Sequence, residues 1–426
     1  MPGKCVICQA PENLRESAVD TLTAHITRRL ATAGTIAALA LVLARPALSA
    51  GAWEAVAARA RGQNVYWNAW GGDGRTNAFI DWAAGQVQAR YGITLRHVKL
   101  TDTSEAVTRV IAEKTAGNDT NGSVDLIWIN GPNFLSMKSL GLLFGPFADQ
   151  LPNMRYLDTD AKLSNTIDFT TPVEGMAAPW RLAQFVFVCD GARVPQPPRS
   201  MADFLVWARA NPGRFTHPDV RDFIGATFIK QALLELAPDP ALLQQPVTEA
   251  AFAAASAPLW AWYDALRPLL WRGGALFPAS GPAERQLLAD SEIDIALSFD
   301  PAEAAASVKS GLLPAGTRVF GLPGGTIGNT SFVAIPYNSP HADAAMLVAN
   351  FLLEPATQAH AQDIAVLGSY SVLDLAKLSP AQQQLFAGLP ADPALPANAE
   401  LGKVLGEPHA SWMTRLTQDW VSRYAH

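Results

Sequence analysis

The chain has 426 residues, 49% hydrophobic and 16% charged, with 32 Lys and Arg against 38 Asp and Glu. That length suits two domains of ordinary size, and a formal charge of −6 argues against nucleic acid or an anionic membrane surface as partner.

The first fifty residues read as an export leader rather than part of a fold. Arg28-Arg29 precede an apolar run of about fourteen residues, Leu30 to Leu43, and Pro46 to Ala50 is a small-residue break, the pattern of a signal peptide cut near Ala50. The run is shorter than the roughly 20 residues a membrane span needs. Thr27-Arg28-Arg29-Leu30 also fits a twin-arginine signal, and ordinary signals carry paired basic residues too. No Cys follows the run, which disfavours a lipoprotein anchor. Met1 to Thr27 is long for a basic leader region, as an upstream misassigned start would make it. Cys5-x-x-Cys8, with no second pair or His partner, is a weak zinc signal. Removing the five basic and three acidic residues before Gly51 leaves 27 against 35, about −8, and a single cysteine, Cys189, so no internal disulfide. A soluble exported protein is expected.

Val65 to Trp67 favours a strand and stops at Trp70-Gly71-Gly72-Asp73-Gly74. Phe79, Ile80, Trp82, Ala83 and Val87 then recur at helical spacing. The turn lacks both the Gly-Lys-Ser/Thr ending of a phosphate loop and the G-x-G-x-x-G spacing. Ile93 to Val98 alternates as a strand, Ser104 to Ala116 reads as a helix, and Val124 to Ile129 as a strand covered on both faces. Asn130-Gly131-Pro132 opens the next helix. Strands alternating with helices predict a parallel sheet with right-handed crossovers.

From Gly175 the texture changes. Met176 to Cys189 is a long extended run suited to carrying the chain between two lobes. Helices are expected over Ser200 to Ala210, Phe223 to Leu236 and Ala250 to Leu270, where Trp260, Trp262 and Tyr263 fall at core spacing. Glu292 to Phe299 is strand-like, and Asp300-Pro301-Ala302-Glu303 carries a cap, a first-turn proline and the acidic partner of a capping box. Gly324 to Thr330 is glycine-rich, Ser331 to Ile335 a strand, and the remainder mostly helical.

Several stretches resemble bacterial extracellular solute-binding proteins of ABC importers. They are Gly175-Met-Ala-Ala-Pro-Trp180, Pro197-Pro-Arg-Ser-Met-Ala-Asp-Phe-Leu205 (with Met201 where that family usually has Trp) and Asn350-Phe-Leu-Leu-Glu-Pro-Ala-Thr-Gln358. Asn211 to Phe215, Asp222 to Gly225 and Gly324 to Pro336 resemble an uncharacterised branch grouped with thiamine, iron and polyamine binders. The resemblance covers about Asn64 to Gln362. It implies an α/β, type II periplasmic-binding-protein fold. Lobe one would hold residues 62–179 and 300–426, including C-terminal helices packed mainly on that lobe, and lobe two residues 190–299. A small polar solute would lie between them, closing the hinges into a state recognised by a membrane permease and its ATPase. The protein would be a periplasmic monomer without cofactor, and not an enzyme. An exported sensor or scaffold shares the same chain features.

The turns that would face such a cleft supply the candidates Trp70, Gly71, Asp73, Asn130, Gly131, Trp180, Arg181, Asp300, Asn329 and Thr330. Helix starts there, Ser280-Gly281-Pro282 included, suit anions. Asp73, Asp300 and the indoles suit a cation, so a thiamine-like solute, cationic or aromatic, is also expected. Against these stand structural readings: Asp300 as a cap only, Asp73 in a solvated turn, Arg181 paired to a structural carboxylate, Asn329-Thr330 in a hairpin turn, and Trp67 and Trp128 in the core. Hydrolase chemistry finds no footing. The His residues are scattered without H-x-x-x-H, no G-x-S-x-G elbow exists, and Cys189 lies in an apolar strand.

Overall fold

A computed structural model describes residues 50–390 and 401–424; the leader, the C-x-x-C pair and nearly all of the expected cleavage region lie outside the described residues. Helix α1 (Ala50–Ala60) leads into β1 (Asn64–Trp70), α2 (Gly74–Tyr91), β2 (Thr94–Leu100), α3 (Ser104–Thr115), β3 (Leu126–Ile129) and α4 (Gly131–Ser139). β1 pairs in parallel with both β2 and β3, as the alternation of strands and helices requires. The small hairpin β4 (Ile167–Asp168) and β5 (Thr171–Pro172) follows.

The long extended run divides into β6 (Ala177–Gln184) and β7 (Val186–Asp190), separated only by Phe185. Beyond it come α5 (Met201–Ala210), α6 (Phe223–Leu236), α7 (Glu249–Leu266), α8 (Gly281–Ala289), β8 (Ile295–Ser298), α9 (Glu303–Lys309), β9 (Thr317–Phe320) and β10 (Thr326–Ala334). Helices α10 (Ala342–Leu352), α11 (Pro355–Gln362) and α12 (Pro380–Ala387), strand β11 (Val404–Leu405) and α13 (Ala410–Tyr424) complete the chain.

Two sheets define two lobes. The larger has the order β11-β10-β3-β1-β2, with β6 on the other side of β10; the smaller is β8-β7-β9, antiparallel throughout. Trp67, Phe79, Trp180 and α10 build a core on one face of the large sheet, and Val110, Ile127, Ile129 and Phe332 build another on its opposite face. The second lobe has its own core of Phe187, Phe204, Phe215, Phe228, Trp260 and Tyr263.

β10 explains how the lobes are joined. All nine of its residues are buried. Ile327, near its start, belongs to the second lobe's core, and Val333, near its end, to the first lobe's. It runs antiparallel to both β6 and β3, so the large sheet is mixed rather than wholly parallel. Gly324 to Thr330 is therefore a short turn followed by crossing strand, and Asn329-Thr330 does not form a hairpin turn.

The expected division at residue 299 moves. β9 pairs with β7, and Ala304 of α9 packs with Val188, Ile293 and Ala296, so residues 303–320 sit on the second lobe and the return crossing falls at 321–328. The C-terminal helices also divide: α10 to α12 pack on the first lobe, whereas Trp412, Leu416 and Trp420 of α13 enter the second lobe's core. Strand pairing decides the first correction. The apolar stripe of α13, repeating every four residues, decides the second.

Candidate binding cleft

A cavity of about 1040 Å³ lies between the lobes, with walls from β1, α2, β3 and α4 on one side and α6, α8 and the end of β8 on the other. Trp70, Gly71, Asp73, Asn130, Gly131, Arg181, Asp300 and Asn329 all border it. Trp180 and Thr330 do not.

The pleat explains that split. β6 and β10 pair with Ser331 opposite Arg181, Thr330 opposite Leu182 and Asn329 opposite Ala183. Successive side chains on a strand point to opposite faces, so Arg181, Ala183, Asn329 and Ser331 share the cavity face. Trp180 turns into the core, 1% exposed, with Trp67 and Trp128 edge-on at 5.6 and 5.1 Å and Phe79 stacked at 5.9 Å. The Thr330 hydroxyl is buried on Ser164 and Asn165, both at 2.9 Å. Trp128, expected in the core, borders the cavity while packing against Trp180.

The glycine turn after β1 holds Trp70 in place. Gly71 N–H donates to the Leu100 carbonyl. A Cβ on Gly72 would fall 2.4 Å from the Trp70 indole, so only glycine lets that ring lie over the turn. Asp73 is the N-cap of α2, accepting from Arg75 N at 3.3 Å, Thr76 N at 2.9 Å and Thr76 Oγ1 at 2.7 Å. Burial pushes its carboxyl up, but the Thr76 hydroxyl and amide, with Arg75 and Arg181, outweigh this and hold it below its ordinary value.

Asp300 is likewise engaged. Its Oδ1 accepts from Ala302 N at 3.0 Å and its Oδ2 from Arg181 at 3.0 Å, with Arg75 at 3.7 Å. The expected cap does not form: α9 begins at Glu303 with Ala302 as its N-cap and no side-chain cap bond, and Glu303 turns to Ser298 and Arg285 instead of completing a capping box. Asp300 closes the turn ahead of that helix and pairs with Arg181, which ties the second lobe to the floor of the first. Arg75 is anchored further by donating to the Val366 and Leu367 carbonyls.

At α4, Gly131 takes φ +56, and its N–H donates to Asp168 Oδ2 at 2.5 Å. Asn130 Nδ2 bridges Asp168 at 2.9 Å and the Thr330 carbonyl at 2.6 Å. An internal carboxylate therefore occupies the N-terminus of α4. Burial pushes Asp168 up to about 7, against the donors Asn130 and Gly131. On the second lobe Asp222 caps α6 through Ile224 N at 2.8 Å, and burial pushes it up to about 6 against its backbone donors.

Sequence reasoning missed several groups. Behind the cavity wall the Lys230 ammonium meets Glu407 at 2.6 Å, and the rings of Phe169 and Phe223 at 4.6 and 5.0 Å. Glu407 also accepts from Asn329 at 3.1 Å. Burial lowers Lys230 and raises Glu407. Nothing local marks this pair, since its members lie far apart in the chain. Ser331 was within reach, because strand parity from Arg181 and Asn329 selects it. Among the described residues no cluster of His, Cys, Asp and Glu is placed to hold a metal, and no helix is long and apolar enough to cross a membrane.

The family described as bacterial extracellular solute-binding protein matches residues 82–397. Protein YnjB of Escherichia coli (strain K12) is 43% identical over 373 residues, 87% of this chain and 94% of that protein. Among solved structures, the Tp0655 (TpPotD) lipoprotein of Treponema pallidum superimposes with a TM-score of 0.62 at 14% identity, over 85% of this chain and all of that one. The periplasmic binding protein AfuA from Actinobacillus pleuropneumoniae, with fructose-6-phosphate bound, gives 0.60 at 14%, covering 85% and 99%. Iron-bound HitA from Pseudomonas aeruginosa gives 0.57 at 17%, covering 84% and 98%. The two-lobe architecture is that of these type II periplasmic binding proteins.

Proposed function

Because the chain belongs to the bacterial extracellular solute-binding proteins, we propose that it is the exported binding component of an ABC importer, capturing a small solute between its lobes and delivering it to a membrane permease. The observation that carries this reading is the cavity of about 1040 Å³, walled by both lobes and floored by the paired crossing strands β6 and β10. Strands that thread both cores can bend at 184–186 and 321–328 without breaking either core. The solute would lie at the carboxyl ends of β1 and β3, where open α/β sheets take ligands. Closure would then bring Trp70 toward Phe223 and Phe299. The protein would act as a monomer in the periplasm, with its leader removed near Ala50, and without chemistry of its own. The ligands of the solved relatives range from a sugar phosphate to iron, so the shared fold leaves the solute class open. Of the groups that suggested a thiamine-like cation, Asp300 is paired with Arg181, which leaves Trp70 and the capping Asp73 to hold one.

The test is a thermal-shift screen of the purified mature protein against thiamine, polyamines, oxyanions, sugars and amino acids, followed by small-angle scattering with each hit. Saturation at 100 times Kd should stabilise by about 2.7 kcal/mol, and the radius of gyration should shrink. A hit that binds without compaction would overturn closure between lobes.

A further inference from the structure

Resting on the carrier reading above, we propose that the solute presents an anionic group, a carboxylate or a phosphate, to Arg181 and Ser331 on the cavity floor. Three observations carry the argument.

Every carboxylate bordering the cavity has a partner. Asp73 and Asp222 cap α2 and α6, Asp300 is shared by Arg181, Arg75 and Ala302 N, and Glu303 meets Arg285 and Ser298. Asp219 holds Arg221, and Asp102, out at the rim, accepts from Ser104 N. At the floor itself the carboxylates Asp300 and Glu303 are neutralised by Arg181 and Arg285, so a cation there would compete with a guanidinium.

The floor carries unused donors. Arg181 is 8% exposed, borders the cavity and has five N–H groups. One bond, to Asp300, is short at 3.0 Å; the contact with Thr76 is 3.5 Å, and Nε has no partner. Ser331 lies directly across the strand pair, 5% exposed and on the same face, and no side-chain partner meets its hydroxyl. A guanidinium beside a hydroxyl, desolvated on a strand floor, matches the bidentate geometry that carboxylate and phosphate prefer. The half-buried Asp300 satisfies only part of it.

The aromatic wall is biased the same way. Phe169 and Phe223 border the cavity, and Lys230, which does not, sets its ammonium 4.6 and 5.0 Å from their ring centroids. A ring already polarised by one cation attracts a second less strongly. Phe169 and Phe223 thus offer apolar contact to the solute body, while recognition of charge falls to the floor.

Calorimetry with isosteric probes decides this: benzoate and phenyl phosphate against benzylamine and phenyltrimethylammonium, each at millimolar concentration on the purified mature protein. At least one anionic probe should bind, more tightly than its cationic counterpart. Arg181→Gln should weaken that probe at least tenfold, and Ser331→Ala, which leaves the Asp300 pair intact, should weaken it severalfold with an unchanged thermal midpoint. A cationic probe that binds more tightly than its anionic isostere overturns the proposal, as does silence of both anionic probes, or an affinity indifferent to Ser331→Ala and Arg181→Gln. The carrier reading is judged separately, by mass spectrometry of solute released on denaturing the purified protein and by scattering. A released or screened cation that compacts the protein would sink the anion assignment and leave the carrier standing.

Discussion

Glu407→Gln probes the inter-lobe junction most directly. Glu407 and Lys230 meet at 2.6 Å with side chains only 2% and 1% exposed. The amide keeps the volume but has one acceptor oxygen where Glu407 uses two, on Lys230 and on Asn329, so the change removes the charge and one of these hydrogen bonds. Leaving one member of a buried pair uncompensated costs about 3–5 kcal/mol. Two routes limit that cost. Lys230 can shed its proton, which for an amine of ordinary pKa costs about 4.6 kcal/mol at pH 7 and about 1.9 kcal/mol at pH 9. Asp168, which Glu407 helps to hold neutral, can ionise and partly replace the lost charge. The expected loss is therefore about 3 kcal/mol at pH 7, shrinking toward about 2 kcal/mol at pH 9. Urea denaturation of wild type, Glu407→Gln, Lys230→Met and the double variant at both pH values reads it out. The double variant should be more stable than either single one, since it leaves no orphan charge. A loss below about 1 kcal/mol for Glu407→Gln, or one that grows with pH, would refute the reasoning.

Trp180→Ala, a core change despite its place beside Arg181, should cost about 3–5 kcal/mol in urea unfolding, and a loss under 1 kcal/mol would return the residue to the cleft. Gly72→Ala should leave the fold intact but push the Trp70 indole aside, weakening solute binding about tenfold, or about 1.4 kcal/mol; titration of the variant with unchanged affinity would show that Trp70 does not touch the solute. His217 is buried with ring nitrogens at 2.6 Å from the Pro218 carbonyl and 2.7 Å from the Tyr263 hydroxyl, and burial lowers it to about 4 despite the Pro218 carbonyl and Asp219. A folded value below the ordinary one of about 6.5 means that its contribution is complete above that pH and is lost as pH falls toward 4, on the order of 3 kcal/mol over the window. The gap in stability between wild type and His217→Gln, measured by urea at pH 7 and 4.5, should narrow on the acid side; a constant gap would exclude the histidine as the cause.

The sequence made the elements legible where local rules suffice. The helix opening at Ser200 is capped as the residue type implies, its side chain accepting from Asp203 N, whereas the same signal at Asp300 misplaces the start of α9, whose N-cap is Ala302. The turn after β1 was readable because three glycines and an aspartate have few other uses beside a strand. What failed was long-range. Residues 303–320 look the same whether their strand joins β3 or β7, and pairing alone places them on the second lobe. The glycine-rich stretch before Ser331 reads as a loop because glycine is poor in strands. Here Gly328 lies where a Cβ would meet Val404 at 2.6 Å and the Ala183 carbonyl at 3.1 Å, so close packing of a crossing strand asks for it.

The site candidates divide by the same logic. Trp180-Arg181 and Asn329-Thr330 each offered two adjacent residues, and a strand can send only one of each pair to the cleft. Parity alone leaves two solutions for each strand. The pairing of Ser331 with Arg181 links the strands, so fixing Arg181 toward the cavity fixes Ser331 and Asn329 with it. Chemistry then selects the solution. Turning Trp180 to the cavity would remove an indole from contact with Trp67 and Phe79 and bury the Arg181 guanidinium in that apolar core, at a cost of several kcal/mol per uncompensated ion. The hydrophobic core thus sets which polar groups the cleft displays. A cleft whose floor is fixed by core packing can vary the groups it displays at Ser331, Asn329 and the capped turns without disturbing the strands that join the two cores.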